Sequence, residues 1–192
     1  MPFADELANR VTVVAYDLSW PADFRALARR LAAGVGSTAR GIDHIGSTSV
    51  PGLAAKDCID VQVRVDSLDE APIASLFTNL GFRRRPEPWN QVENTGGRQW
   101  PKLVFAPPIG ERAANVHVRE SGSATARRNL LFRDFLRADE PARVAWGSFK
   151  QRLAQTAADL YDYGQIKQPA TDVLMIAAEN WARRAAWIDP SR

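Results

Sequence analysis

The sequence has 192 residues, of which 45% are hydrophobic and 24% are charged, with a formal net charge of +3. This composition is typical of a globular protein and excludes disorder, collagen and a disulfide scaffold, and the small charge excess does not favour nucleic acid as a partner. Cys58 is the single cysteine, no segment approaches the roughly 20 apolar residues that span a bilayer, and no signal peptide is recognised, so we expect a cytoplasmic protein without a membrane partner.

The N-terminal third of the chain predicts one helix and two strands. A serine–tryptophan–proline start and apolar residues at helical spacing predict a helix over 20–33. A strand is predicted over 42–45. The strict alternation of 58–65 predicts a second strand, with one apolar face and one polar face that carries Asp60 and Gln62.

The next segment predicts a helix and three more strand segments. Residues 67–70 resemble a capping box, which would open a helix that ends near Leu80. Segments 82–85 and 100–105 predict a hairpin around a long polar loop. Alternation over 115–120 predicts a strand.

After Gly122 the pattern becomes helical throughout. We predict helices over 124–138, 140–158 and 169–187, the last two opened by first-turn prolines.

These elements predict an α/β (α+β) fold in two parts. Residues 1–122 form a mixed sheet with covering helices, and residues 123–192 form a helical bundle packed on that core.

One short segment concentrates the chemistry of the chain. Gly46, Ser47, Thr48 and Ser49 follow a predicted strand, and they offer backbone N–H groups, hydroxyls and room for an anion. Lys56 would add a positive charge. These residues therefore predict a phosphate cradle, with a loop that satisfies only its own backbone as the alternative.

Asp60 is the candidate metal ligand, because Mg²⁺ is commonly held by one or two carboxylates together with a substrate's phosphates. Asp60 capping a neighbouring element is the alternative. His44 precedes the turn, and we expect it to brace that loop through a backbone hydrogen bond.

The segment HIGSTSVPGLAAK followed by IDVQV resembles the GrpB family. That family is similar to the nucleotidyltransferase superfamily and to a domain appended to some bacterial dephospho-CoA kinases. The resemblance implies a minimal nucleotidyltransferase-like fold in which Gly46-Ser47 is the turn and Asp60 the first acid. Gln62 stands where a second acid would be and His117 is the candidate for the third position, so the set of candidate catalytic residues is Asp60, Gln62 and His117. Because Gln62 offers only a neutral oxygen, a two-ion mechanism is not expected, and one metal or none remains open.

Four further residues have both a functional and a structural interpretation. His117 is either a base or ligand near neutral pH or a hydrogen-bonded structural histidine. Arg133 either reaches a phosphate or forms an ion pair between helices. Tyr163 and Lys167 lie either on a solvated turn or on the far wall of a nucleotide pocket, where the ring would stack on a base and the amine would meet a phosphate.

The leading functional hypothesis is that the protein binds a nucleoside triphosphate or another small phosphorylated ligand with Mg²⁺ and transfers a nucleotidyl group to a small molecule. The alternative is a non-catalytic binding module for a phosphorylated metabolite related to coenzyme A. The third hypothesis is a helical interaction surface that binds no ligand.

Overall fold

The computed structural model describes residues 3–192 as a mixed sheet, a separate hairpin and five α-helices. The strands in chain order are β1 (Ala39–Ile45), β2 (Ile59–Val65), β3 (Arg83–Arg84), β4 (Val92–Thr95), β5 (Arg98–Pro101), β6 (Leu103–Ala106) and β7 (Ala114–Glu120). The α-helices are α1 (Trp20–Val35), α2 (Glu70–Asn79), α3 (Ala124–Ala138), α4 (Glu140–Thr156) and α5 (Leu160–Arg184).

The five-stranded sheet has the order β1-β2-β7-β6-β3, and β4 and β5 form a hairpin of their own. β2 runs antiparallel to β1 and parallel to β7, whereas β6 runs antiparallel to β7 and β3. In this register Asp60 lies opposite Asn115, and Gln62 lies opposite His117. The two predicted polar strands are therefore neighbours at the centre of the sheet.

The alternation of β2 divides the sheet into two chemically different faces. Val61 and Val63 are fully buried in a core that also contains Trp20 of α1 and Phe77 of α2. Each buried side chain of this size stabilises the fold by about 1.5–3 kcal/mol. The opposite face carries the polar side chains of β2 and is covered by α3.

The C-terminal helices have a second core of their own. Leu131 and Phe135 of α3, Trp146 of α4 and Met175 of α5 are buried together with Leu53, which lies between β1 and β2. The predicted class, an α/β sheet with a C-terminal helical region, is confirmed. The boundary at residue 122 remains a prediction. Among residues 3–192, no helix has the length and apolar character needed to cross a membrane.

One local prediction is wrong and another holds in part. α2 begins at Glu70 and its N-cap residue Asp69 makes no side-chain capping bond, so no capping box forms. The predicted pairing of segments 82–85 and 100–105 is found as β3 with β6, but the loop between them folds as a second hairpin, β4–β5, which also takes up Trp100.

The third difference concerns Pro169, which was expected to open the last helix. α5 instead starts at Leu160 after the N-cap Asp159, and Pro169 lies inside it. The Asp159 carboxylate accepts a hydrogen bond from the amide of Asp162, which satisfies a free donor of the first turn. This start places Tyr163 and Lys167 on a helix and not on a turn.

We expect Pro169→Ala to raise the free energy of unfolding by up to about 3 kcal/mol, because a proline inside a helix removes one backbone hydrogen bond. Pro141→Ala is the matched control, since Pro141 lies in the first turn of α4, where no such bond is lost. Urea denaturation of the three proteins measures both effects. A Pro169→Ala protein less stable than the wild type would contradict this interpretation of α5.

Candidate functional site

The turn after β1 lies directly against the carboxylate of Asp60. β1 ends at Ile45, which pairs with Asp60 across the sheet. Gly46 then adopts a φ of 67° and a ψ of −171°, and Ser47–Ser49 form one short 3₁₀ turn. A Cβ atom on Gly46 would lie 2.5 Å from Oδ2 of Asp60. Only glycine therefore allows the backbone to come this close, and the turn and the acid share one small volume.

The turn and Asp60 open onto a cavity of about 850 Å³. Most of the residues predicted from the sequence as catalytic or phosphate-binding line it: Gly46, Ser47, Thr48, Lys56, Asp60, His117, Tyr163 and Lys167. Gln62, Ser49 and Arg133 do not, and His44 lies behind the turn. The helical half of the chain supplies one wall of the cavity, so the site lies between the sheet and the helices α3, α4 and α5.

The turn uses two of its three hydroxyl groups internally. The Ser49 hydroxyl donates to the carbonyl of Gly46 at 2.6 Å, and the Thr48 hydroxyl lies 3.0 Å from Nε2 of His44. Within the described residues the Ser47 hydroxyl and the amides of Ser47 and Thr48 make no hydrogen bond. Ser47 and these two amides are therefore the groups that remain for a ligand.

His44 braces the turn, but through the Thr48 side chain and not through a backbone bond. Its ring stacks on Phe24 at a centroid distance of 4.6 Å. Burial lowers the pKa of His44 to about 4; Asp60 opposes this shift, while Arg137 and Arg133 add to it. His44 is therefore a neutral supporting group at pH 7.

Two arginines of α3 hold the same turn from outside the cavity. Arg133 donates to the carbonyl of His44 at 3.2 Å and to Asp134 at 2.7 Å. Arg137 donates twice to the carbonyl of Ser49, at 2.8 and 3.0 Å. Arg133 does not line the cavity, and its observed contact fixes the backbone at the end of β1, just before the turn. The expected ion pair between helices does not form either, because Asp134 is its neighbour in sequence.

Asp60 is fixed by the neighbouring strand. Nδ2 of Asn115 donates to its Oδ1 at 2.9 Å, and Nε2 of His117 lies 3.7 Å from the same oxygen. Burial acts to raise the pKa of Asp60, but the polar contacts with His117 and Asn115 outweigh it, and the pKa lies below its ordinary range. Asp60 therefore presents an ionised carboxylate, with Oδ2 beside the turn.

His117 is a buried and neutral neighbour of this carboxylate. Burial, with the charges of Arg119 and Lys102, lowers the pKa of His117 to about 4, although Asp60 favours the charged form. Its Nδ1 atom is buried without a hydrogen-bond partner in the described part of the chain. His117 can donate or accept one proton at neutral pH, but it carries no charge there.

Gln62 serves the interior of the protein. It is completely buried, and its Oε1 accepts a hydrogen bond from Arg119 at 3.2 Å, while its Nε2 lies 3.4 Å from Asp43 and from the carbonyl of Ala126. All of its polar atoms are thereby engaged under α3. The residue at the position of a second acid therefore does not reach the cavity.

The donor set does not fit a resident magnesium centre. No group of three His, Cys, Asp or Glu side chains is close enough to hold a metal ion among residues 3–192. Asp60 offers one carboxylate, and one of its oxygens already accepts the Asn115 amide. Mg²⁺ usually needs octahedral oxygen ligands, so an ion here would depend on a ligand's own oxygens. Mg²⁺ on Asp60 remains a prediction.

Sequence reasoning missed a buried ionic group on the cavity floor. Glu93 of β4 accepts hydrogen bonds from Arg119 at 2.7 and 2.9 Å and from Lys102 at 3.0 Å. Arg119 and Lys102 are each only 1% exposed. This group ties the β4–β5 hairpin to the sheet, and the alternation that places Arg119 on the face of His117 was its only sequence signal.

The sheet, the helical region and the cavity between them define an α/β protein with a polar, cation-lined site. Residues 10–176 match the protein family described as GrpB protein. A dephospho-CoA kinase from Mycolicibacterium paratuberculosis is 33% identical over 211 residues, which cover 97% of this chain and 52% of that protein. The chain belongs to the GrpB family.

Two further comparisons agree with this assignment. The UPF0157 protein BH1888 from Halalkalibacterium halodurans is 35% identical over 146 residues, covering 76% of this chain and 70% of that protein. A crystal structure of the conserved protein GrpB from Enterococcus faecalis has a TM-score of 0.72 and 25% identity, covering 92% of this chain and all of that one. The chain spans about half the length of the dephospho-CoA kinase that it matches.

We expect Gly46→Ala to lower the free energy of unfolding by at least about 2 kcal/mol, since it combines an unfavourable φ with a clash against Asp60. Gly36→Ala is the matched control, because Gly36 has a φ of 52° but nothing within 4 Å of its Cβ position. Chemical denaturation measures both losses. Equal decreases in the free energy of unfolding of the two variants would mean that the clash between a Cβ atom at position 46 and Asp60 does not destabilise the protein.

Both histidines should titrate with midpoints near 4, as their buried rings predict. In the unfolded chain a histidine has a pKa of about 6.5. Between about pH 6.5 and pH 4 the unfolded chain therefore binds more protons than the folded protein, and the free energy of unfolding falls as the pH falls through that range. NMR of the ring protons measures the midpoints, with His117→Gln to assign the two signals. A midpoint near 6.5 for His117 would contradict its buried, neutral state.

Proposed function

We propose that the cavity binds a nucleotide or another small phosphorylated molecule, with a phosphate group at the Gly46–Ser49 turn. The observation that carries this proposal is the meeting of the turn, Asp60 and several lysines in one cavity. Free backbone amides at a glycine turn are typical phosphate ligands, and lysine amines add charge without demanding a fixed orientation.

The far wall of the cavity supports a ligand larger than a single phosphate. Tyr163 of α5 is 2% exposed and lines the cavity. Lys56 and Lys167 each place Nζ 5.8 Å from the centre of its ring. Burial raises the pKa of Tyr163 to about 12, so this side chain stays a neutral phenol. The volume of about 850 Å³ is in the range of sites that hold drug-sized ligands.

The proposed reaction is transfer of a nucleotidyl group to a small-molecule acceptor. In this reaction the chain would act by positioning and by neutralising charge, and not by forming a covalent intermediate. The turn amides would hold the phosphate chain, and the ionised Asp60 would orient an acceptor hydroxyl next to it. The hydroxyl oxygen would bond to the α-phosphorus while the bond from that phosphorus to the bridging oxygen breaks, pyrophosphate would leave, and the hydroxyl proton would pass to the neutral His117. The neutral His117 would keep Asp60 in place and could receive a proton. Family resemblance supports the reaction class but does not name the acceptor.

A non-catalytic binding module is the second candidate. It is favoured by the single free carboxylate, because Gln62 is buried and Glu93 is engaged with Arg119 and Lys102. The relative named dephospho-CoA kinase suggests a phosphorylated metabolite related to coenzyme A as the ligand. This chain would then supply binding while another domain supplied chemistry.

Millimolar ATP or dephospho-CoA should raise the melting temperature of the protein. A ligand at 100 times its Kd adds about 2.7 kcal/mol of stability, which corresponds to a shift of roughly 5–10 °C for a chain of this size. Thermal denaturation and calorimetric titration measure the effect. Neither heat nor a shift with either compound or with inorganic phosphates would remove the proposed function.

Asp60→Asn separates the two candidates. In an enzyme, pyrophosphate release from ATP should fall by about 100-fold or more while ATP binding persists, because the charge acts on the reacting groups. In a binding module the wild type shows no release, and the variant keeps most of its affinity. Asp172→Asn is the matched control, since Asp172 lines the same cavity but pairs with Arg128 at 2.6 Å.

A further inference from the structure

The lysines of this chain are distributed in an unusual way. The chain has four lysines among its 25 basic residues, and the other basic residues are arginines. All four lysines, Lys56, Lys102, Lys150 and Lys167, line the one cavity that holds the turn and Asp60. Lysines normally lie on the solvated surface, so the presence of all four in one concavity points to a ligand that needs compact positive charges, although Lys56 also borders a second pocket.

Carboxylates of the cavity do not balance these charges. Lys102 has a partner in Glu93, which Arg119 also contacts. Asp172 is paired with Arg128. Within residues 3–192, no carboxylate forms an ion pair with Lys56, Lys150 or Lys167. Asp60 is thus the remaining acid for three amines, and the cavity carries an excess of positive charge.

The three amines are held close to one another and to Asp60 by different elements. Lys150 of α4 is 3% exposed and donates to the carbonyl of Ala54, two residues before Lys56. Lys56 and Lys167 both lie over the ring of Tyr163. No two of them come from the same segment of the chain. The fold therefore brings three lysines from distant parts of the chain into one cavity.

Burial and the neighbouring amines lower the pKa of two of these lysines, Lys150 and Lys167. Burial lowers the pKa of Lys150 well below its ordinary value, and the charges of Lys167 and Lys56 lower it further. Burial and the charge of Lys56 lower the pKa of Lys167 to about 8, with Asp60 acting in the opposite direction. A polyanion between the amines would reverse these shifts, because it favours their charged forms.

We propose that Lys56, Lys150 and Lys167 together neutralise the phosphate groups of the bound ligand, so that binding does not require a divalent cation. This inference rests on the proposed function and specifies how the same site balances charge. It departs from the expectation of Mg²⁺ on Asp60, because the cavity offers these three amines, whereas no group of three possible metal ligands is found among residues 3–192. The ligand class is a di- or triphosphate, whose several charges match several amines.

Inorganic tripolyphosphate is the probe, titrated into the full chain in EDTA and again with excess Mg²⁺. We expect binding in EDTA, with a Kd no more than about threefold weaker than with Mg²⁺. Binding that needs Mg²⁺ would overturn the lysine proposal and leave the proposed function intact. No binding of tripolyphosphate, ATP or dephospho-CoA under either condition would end both.

Single methionine substitutions test the three amines directly, since methionine keeps much of the side-chain volume and removes the charge. Lys56→Met, Lys150→Met and Lys167→Met should each weaken tripolyphosphate binding in EDTA by about tenfold or more. Arg152→Met is the matched control, because Arg152 is an exposed residue of α4 outside the cavity and its loss changes the net charge equally. We expect its Kd to change less than about twofold.

The substitutions also report on folding. Each lysine variant should keep the helical circular dichroism of the wild type, since it removes a poorly balanced buried charge and leaves packing in place. If Lys150→Met fails to fold, Lys56→Met and Lys167→Met decide the question, because both residues are only partly buried. Unchanged affinity in these two variants would overturn the proposal.

Discussion

The contact between the backbone of Gly46 and the carboxylate of Asp60 is the constraint on which the site depends. β1 and β2 pair in antiparallel register, so the chain leaves β1 at Ile45, opposite Asp60. Any side chain at Gly46 would occupy the space of Oδ2. Position 46 therefore has to be glycine. The pairing of the two strands, and not a flexible loop, places the turn and its amides beside the carboxylate.

Parts of this arrangement could be predicted from sequence because they depend on local pattern. Alternation over 58–65 and 115–120 gave the two central strands, since a half-buried strand must place apolar residues on every second position. The same alternation placed Asp60 on the polar face of β2, whereas the pairing of Asp60 with the turn was implied by the resemblance to the GrpB family. The helix starting at Trp20 was predicted from its first-turn proline and its apolar spacing, although Ser19 makes no side-chain capping bond.

Other features depend on which helices cover each face of the sheet, and the sequence of a single strand does not contain that information. Gln62 shares a face with Asp60, yet α3 covers the first and leaves the second open to the cavity. Arg133 contacts the turn from behind because α3 crosses there. The start of α5 also depends on tertiary packing. The helix continues through Pro169, although a proline locally favours the first turn of a helix.

Most arginines and lysines at this site have different tasks. Arg133 holds the carbonyl of His44 at the end of β1, Arg137 holds that of Ser49 in the turn, and Arg119 holds Glu93 and Gln62. A planar fork with several donors suits such fixed positions, whereas an amine on a flexible stem adapts to a ligand. Lys102 shares Glu93 with Arg119, while Lys56, Lys150 and Lys167 line the cavity without a carboxylate partner among residues 3–192.

The proline within α5 has a consequence for the wall that carries Lys167. Because Pro169 has no amide hydrogen, the carbonyl of Gln165 lacks the partner that a regular helix would give it. Gln165 and Lys167 both line the cavity, so the helical ladder is weakest just where it faces the interior. α5 can therefore bend more readily than the sheet on the opposite side of the cavity. Ligands of different lengths would be accommodated by movement of this helix, while the strands keep their positions.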